Sequence, residues 1–205
     1  MAAGPVEFGF ASRIFDMTTI VVVRKGDNAV IAADRLTTFG TTRLAPAYDR
    51  SPEKITRHGD SYIGVAGSAA HQLVLENLLE RSDMDFRGKA AIYESFRKLH
   101  PLLKDEHFLN PKEEEDDPYE SSQMTCMVAN PWGIFAVYSM REVFEFDRFW
   151  SIGSGRDFAL GAMYSLYARE DDVAAIARAG IEAGAEFDTG TAGPITLHTV
   201  RLAAK

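Results

Sequence analysis

The chain is predicted to be an α+β protein built on mostly antiparallel sheets, and three observations carry that expectation. Segments rich in β-branched residues come in groups joined by short turns. Segments with apolar residues at helical spacing come in pairs between those groups. The resulting order, strands, two helices, strands, two helices, strand, never alternates one helix with one strand, which excludes a doubly wound parallel sheet.

The elements follow in order. Thr18 to Lys25 is β-branched almost throughout, Gly26-Asp27-Asn28 is turn chemistry, and Ala29 to Ala33 returns as a second strand, so the pair reads as a hairpin. Residues 36 to 52 are mixed and Thr-rich and give no clear element. Lys54 to Arg57, the turn His58-Gly59-Asp60 and the apolar run Ser61 to Gly67 form the next strands. Helical spacing covers Ala69 to Arg81, and a second helix is predicted from Lys89 to about His107, kinked or interrupted by Pro101. Strands are expected again over Gln123 to Ala129, Ile134 to Ser139 and Val143 to Phe149. A tight turn at Ile152-Gly153-Ser154-Gly155 leads into a helix over Phe158 to Tyr167. Asp171-Asp172 caps a helix from Val173 to Ala183, and Ile195 to Leu202 is the last strand.

Composition narrows the function classes. The 205 residues are 46% apolar and 25% charged, which is ordinary for a folded domain. The formal net charge is −8, and the sequence has no basic stripe to neutralise phosphates, so a nucleic-acid partner is not expected. The longest apolar stretches, such as Ile20 to Val23, fall far short of the roughly 18 residues that span a bilayer, so no membrane partner is expected either. The single cysteine, Cys126, allows no intramolecular disulfide and suits a reducing compartment such as the cytoplasm. In an apolar strand it reads as a small buried hydrophobe.

Several kinds of site are absent. Ile152-Gly153-Ser154-Gly155 fits neither G-x-G-x-x-G nor G-x-x-x-x-G-K, so no nucleotide cofactor is implied. The five histidines show no paired ligand spacing, and the acidic run from Lys112 to Glu120 lacks the spaced ligands and turn glycine of a calcium loop. Neither a metal nor another cofactor is called for. Gly153-Ser154-Gly155 is not a nucleophile elbow.

What remains is a threonine at the head of the first strand. Thr18-Thr19-Ile20-Val21, followed by Asp34 in Ile31-Ala32-Ala33-Asp34-Arg35, resembles the opening of proteasome β-type subunits and of the bacterial HslV-type peptidase. Lys54-Ile55 resembles that family's active-site lysine segment, Ile63-Gly64-Val65-Ala66-Gly67 its oxyanion strand, and Ile152-Gly153-Ser154-Gly155 its later G-S-G turn. Asp188-Thr189-Gly190-Thr191-Ala192-Gly193 resembles the D-x-x-S-G-G element, with Thr in place of Ser and Ala in place of the first Gly. The resemblance spans Thr18 to about Val200 and leans towards the bacterial branch, including the betaproteobacterial proteasome homologue. It implies a four-layer αββα sandwich of the N-terminal nucleophile hydrolase fold, stacked rings of twelve or fourteen subunits, unfolded proteins or peptides as substrates, and an ATP-dependent unfoldase as partner.

The chemistry explains why these residue types are needed. A threonine hydroxyl is a weak nucleophile, and an N-terminal threonine carries its own base, an α-amine with a pKa of about 7.7–8.0. The resemblance assigns Thr18 the attack, Lys54 the electrostatic lowering of the hydroxyl pKa, and Asp34 the orientation of that lysine. It gives the oxyanion to the backbone N–H of Gly64, and contacts around the α-amine to Ser154, Asp188 and Thr191. Two positions before and after Gly64, Tyr62 and Ala66 share its strand face and would line the pocket for the residue before the cut, favouring an apolar side chain.

Thr18 can act only after its bond to Met17 is gone. Residues 1 to 17 read either as a removable leader ahead of the domain at 18–205, or as sequence upstream of a start at Met17. Two other classes remain open. A noncatalytic ring or scaffold subunit would not need the pair Asp34 and Lys54. A small-molecule amidase of the same nucleophile class would need more substrate-recognition loops than the one acidic insertion at 112–120.

Overall fold

The computed structural model describes residues 18–112 and 114–204. The segment 1 to 17, read from the sequence either as a leader or as upstream of a start at Met17, lies outside them. Among the described residues, eleven strands and four α-helices build two sheets, a small hairpin and two helical layers. The first sheet has the order β10-β1-β2-β11, from β1 (Thr19–Lys25), β2 (Asn28–Asp34), β10 (Phe149–Gly153) and β11 (Ile195–Arg201). The second has the order β5-β6-β7-β8-β9, from β5 (Ile55–His58), β6 (Ser61–Ala66), β7 (Thr125–Asn130), β8 (Gly133–Val137) and β9 (Val143–Phe146). Every pairing is antiparallel.

Three apolar clusters define the layers. Ile20, Val22, Ile31, Met127 and Ile134 pack between the two sheets. Val21, Val23, Val30 and Ala32 turn the other way, against α3 (Arg156–Tyr167) and α4 (Val173–Phe187). The five-stranded sheet is covered on its outer face by α1 (Ala69–Arg81) and α2 (Lys89–Asp105) through Leu75, Leu78, Ile92, Phe96 and Leu103. The result is the four-layer αββα sandwich. Because β1 and β2 are covered on both faces, their sequences are near-continuous apolar runs instead of alternating ones.

The structure departs from the sequence expectation in three places. The stretch 143–149 is not one strand: Asp147-Arg148 is a corner that hands the chain from β9 in one sheet to β10 in the other. Residues 36 to 52 contain a hairpin, β3 (Thr37–Phe39) with β4 (Thr42–Leu44), followed by one 3-10 turn. Pro101 does not interrupt α2. An interior proline costs a helix about 3 kcal/mol. Burial of Ile92, Phe96, Leu99 and Leu103 outweighs that, since each such side chain contributes about 1.5–3 kcal/mol.

Phe96, 1% exposed, sits at the centre of the layer between α2 and its sheet. Phe96→Ala is expected to lower the free energy of unfolding by about 3–5 kcal/mol in a denaturant titration.

Candidate active site

The residues singled out from the sequence lie on segments that meet at one end of the sandwich. Thr18 stands immediately before β1, Asp34 is the last residue of β2, and Lys54 is the residue before β5. β1 and β2 are neighbours, while Lys54 approaches from the opposite sheet. Thr18 and Lys54 line a cleft of about 900 Å3 that opens between the hairpin β3–β4 and the start of α1.

Asp34 is wholly buried. Its Oδ1 accepts from the Thr18 hydroxyl at 2.8 Å, from Lys54 Nζ at 2.8 Å and from the Thr19 N–H at 3.0 Å. Its Oδ2 accepts from the N–H groups of Leu36 at 3.0 Å and Ala192 at 3.3 Å. Lys54 Nζ also donates to Thr18 Oγ1 at 2.6 Å, which closes a triangle of hydroxyl, ammonium and carboxylate. Burial lowers the Lys54 pKa from its ordinary 10.5, and the charges of Asp34 and Asp188 pull in the opposite direction.

A second chain of bonds starts at the Thr18 nitrogen, which donates to Ser154 Oγ at 3.2 Å. Ser154 Oγ donates to Asp188 Oδ2 at 2.6 Å, and Thr191 Oγ1 donates to the same oxygen at 2.6 Å. With its proton committed there, Thr191 accepts from Thr19 Oγ1 at 2.7 Å. The sequence suggests that Ser154, Asp188 and Thr191 all contact the Thr18 nitrogen, but only Ser154 does so; Asp188 is reached through Ser154, and Thr191 through Asp188 and Ser154 in turn. Gly153, Gly155 and Gly184 make this possible. A Cβ on Gly153, whose φ is +93°, would collide with the Thr18 carbonyl, and one on Gly155 would collide with the Thr19 hydroxyl.

Three expected residues are not at the cleft. A Cβ on Gly64 would point at Ile20 and Ile31, 3.1 Å from the nearest atom, so that face of β6 looks into the layer between the sheets. Gly64 also pairs with both β5 and β7, which commits its N–H to the ladder. Tyr62 and Ala66 share its face: Tyr62 stacks on His198 with ring centroids 4.4 Å apart, and Ala66 is 1% exposed in the same cluster. Val65, Gly67, Ala69 and Leu73 line the cleft instead. Gly67 stands three residues after Gly64, and an odd displacement exchanges the two faces of a strand, so the side of β6 that carries Val65 and leads to Gly67 is the one at the cleft.

Gly67 lies past the end of β6 with φ of +141°, ahead of Ser68, which caps α1 by accepting from the Ala70 N–H. No described residue takes its N–H. The signal was present in the sequence, because a glycine followed by a capping serine and a helical run marks a strand-to-helix joint. Cys126, the second residue of β7, has its thiol pushed up to about 12 by burial and stays protonated.

A family model described as Proteasome subunit matches residues 15–200. The chain belongs to the proteasome subunit family. It is 29% identical over 196 residues to the ATP-dependent protease subunit HslV of Caldanaerobacter subterraneus subsp. tengcongensis, covering 91% of this chain and 100% of the relative. It is 28% identical over 184 residues to the HslV subunit of Bartonella quintana, with 89% of each covered. Among solved structures, the BPH of Thiobacillus denitrificans in complex with Epoxomicin superposes with a TM-score of 0.85 at 37% identity, over 91% of this chain and 100% of that one. Eukaryotic HslV from Trypanosoma brucei shares the fold, with a TM-score of 0.64 at 23% identity, over 90% of this chain and 99% of that one. Among the described residues no helix is long and apolar enough to cross a membrane.

The packing around Thr18 gives a paired test. Gly153→Ala is expected to lower the thermal midpoint by several degrees, because its Cβ meets main chain that cannot give way. Gly161→Ala, within α3 and with open space at its Cβ, is expected to stabilise by about 0.5–1 kcal/mol. Equal midpoints for the two variants would contradict the close approach at Gly153.

Proposed function

We propose that this chain is the catalytic subunit of a chambered threonine peptidase, with Thr18 as the N-terminal nucleophile once its bond to Met17 is cut. The observation that carries this reading is the Lys54 ammonium 2.6 Å from Thr18 Oγ1, with both held on the buried Asp34 carboxylate. A charge this close favours the alkoxide character that attack requires. Thr18 Oγ attacks the scissile carbonyl carbon and its proton passes to the freed Thr18 amine. That ammonium then gives the proton to the leaving amine as the C–N bond breaks. Water, deprotonated by the same amine, hydrolyses the resulting ester and returns Thr18. The bond from the Thr18 nitrogen to Ser154, anchored on Asp188, turns the amine's lone pair away from Ser154 and towards Oγ.

The tetrahedral oxyanion falls to the Gly67 N–H at the mouth of α1, where the helix N-terminus adds positive potential. Val65, Ala69 and Leu73 make an apolar wall beside it, which favours a medium-sized apolar residue before the cut. The relatives named as ATP-dependent protease subunits support a multisubunit protease that works with ATP, and the form proposed for it is a ring assembly of twelve or fourteen copies fed by an ATP-driven unfoldase. The Epoxomicin complex of the Thiobacillus denitrificans protein supports a cleft that takes a peptide-like electrophile.

An electrophilic peptide, an epoxyketone or vinyl sulfone, is expected to add its mass once per processed chain, and Thr18→Ala to abolish the addition. Equal labelling of Thr18→Ala would overturn the assignment. Lys54→Ala is expected to lower kcat/KM on a fluorogenic peptide by about a hundredfold or more, as removal of a preorganised charge does. Because Lys54 titrates below 10.5, the wild-type rate should fall with rising pH in a limb below the ordinary lysine range. A flat alkaline profile would show that its charge is not used. Light scattering at micromolar concentration should report a twelve- or fourteen-fold mass; a monomer would contradict the chamber.

A further inference from the structure

Lys54 belongs to no helix or strand. It ends the irregular connection that follows the 3-10 turn at Pro46–Tyr48, so nothing in the regular framework fixes its main chain before β5 begins at Ile55. The preceding residue supplies what the framework lacks. The Glu53 carbonyl accepts from Gln72 Nε2 of α1 at 2.5 Å. The Glu53 carboxylate accepts from Thr196 Oγ1 of β11 at 2.5 Å and pairs with the Arg35 guanidinium. Arg35 Nε in turn donates to Thr196 Oγ1 at 2.6 Å, and the Arg35 N–H donates to the Ala192 carbonyl at 3.2 Å. Asp34-Arg35 therefore faces Glu53-Lys54 through two adjacent ion pairs of opposite sense. The inner pair reaches Thr18; the outer one does not.

We infer that Glu53, clamped by Arg35, Thr196 and Gln72, is a positioning residue that sets where the Lys54 ammonium stands relative to the Thr18 hydroxyl. This rests on the reading in which Thr18 is the nucleophile and Lys54 acts on it. The exposure of the outer pair decides between a stabilising and a positioning role. With side chains 28% and 42% exposed, Arg35 and Glu53 are screened by water, and such a pair contributes little to folding. Displacement of a catalytic group by about 1 Å costs on the order of a hundredfold in rate, so the same contact can matter far more for turnover than for stability. The groups facing Lys54 and its clamp are Asp34 on β2, Asp188 after α4, Arg35 and Glu53 themselves, His198 on β11 and Glu76 on α1. None of the last three bonds to the Lys54 ammonium.

The test compares wild type, Glu53→Ala and Glu53→Gln on a fluorogenic peptide, with electrophile labelling and thermal midpoint measured in parallel. Glu53→Ala is expected to lower kcat by about tenfold to a hundredfold, with KM changed less than about threefold and the midpoint within a few degrees. Its alkaline limb should move up towards 10.5, because a lysine released from the buried site regains water. Glu53→Gln keeps an acceptor for the Thr196 hydroxyl and is expected to recover part of the rate. A Glu53→Ala enzyme with wild-type kcat and alkaline limb would overturn the inference. So would a loss of kcat matched by a collapsed midpoint with the limb unmoved. If Glu53→Ala is insoluble, Thr196→Val, which removes the hydroxyl from the clamp, is read by the same criteria. Absence of labelling in wild type would instead overturn the nucleophile reading itself.

Discussion

A carboxylate with no access to water organises this end of the molecule. Burying an unpaired Asp34 would cost several kcal/mol, and the protein offsets that with five donors drawn from separate parts of the chain. Thr18 and Thr19 come from the head of β1, Leu36 from the link between β2 and β3, Lys54 from the threshold of β5, and Ala192 from the loop before β11. Each is drawn to Asp34 because leaving the carboxylate unsatisfied is worse than ordering the segment that satisfies it. Removing either Asp34 or Lys54 leaves the other charge uncompensated, at a cost of about 3–5 kcal/mol. Two of those donors, the Thr18 hydroxyl and the Lys54 ammonium, are also in contact with each other, which is the arrangement on which the proposed chemistry rests.

The frame around this charge is rigid where it needs to be. β1 and β2 lie between a helical layer and a second sheet, so the residues at their ends inherit positions fixed by packing on both faces. On the far side of Thr18, the glycines at 153, 155 and 184 let β10, the start of α3 and the end of α4 approach main chain and hydroxyls that any Cβ would push away. The cleft side is built differently. Lys54 and Gly67 sit in connections outside the two large sheets, and the hairpin β3–β4 pairs only with itself.

That division explains how much could be read from the sequence. The fold class and both helix pairs followed from periodicity, because doubly covered strands and amphipathic helices carry strong patterns. Thr18, Asp34, Lys54, Ser154, Asp188 and Thr191 were recognised by resemblance, and the structure brings their atoms into two connected bond chains. Gly64, Tyr62 and Ala66 lie on the inner face of β6: two glycines three apart in one apolar run offer two registers, and the capping serine and helical run after Gly67 are the local signal that separates them. The corner at Asp147-Arg148 was invisible because an edge strand that changes sheets continues the same aromatic-rich composition. The clamp on Glu53 had no local signature at all. Arg35, Glu53, Gln72 and Thr196 come from four distant segments and meet only in three dimensions.

The proposed chemistry uses the Thr18 amine itself as the base, and its exposure can be measured on the molecule directly. The intact mass and N-terminal sequence of a preparation with demonstrated peptidase activity are predicted to begin at Thr18, with Met17 absent. An active preparation in which Thr18 remains joined to Met17 would contradict the account, since the peptide nitrogen has no lone pair free to take the hydroxyl proton.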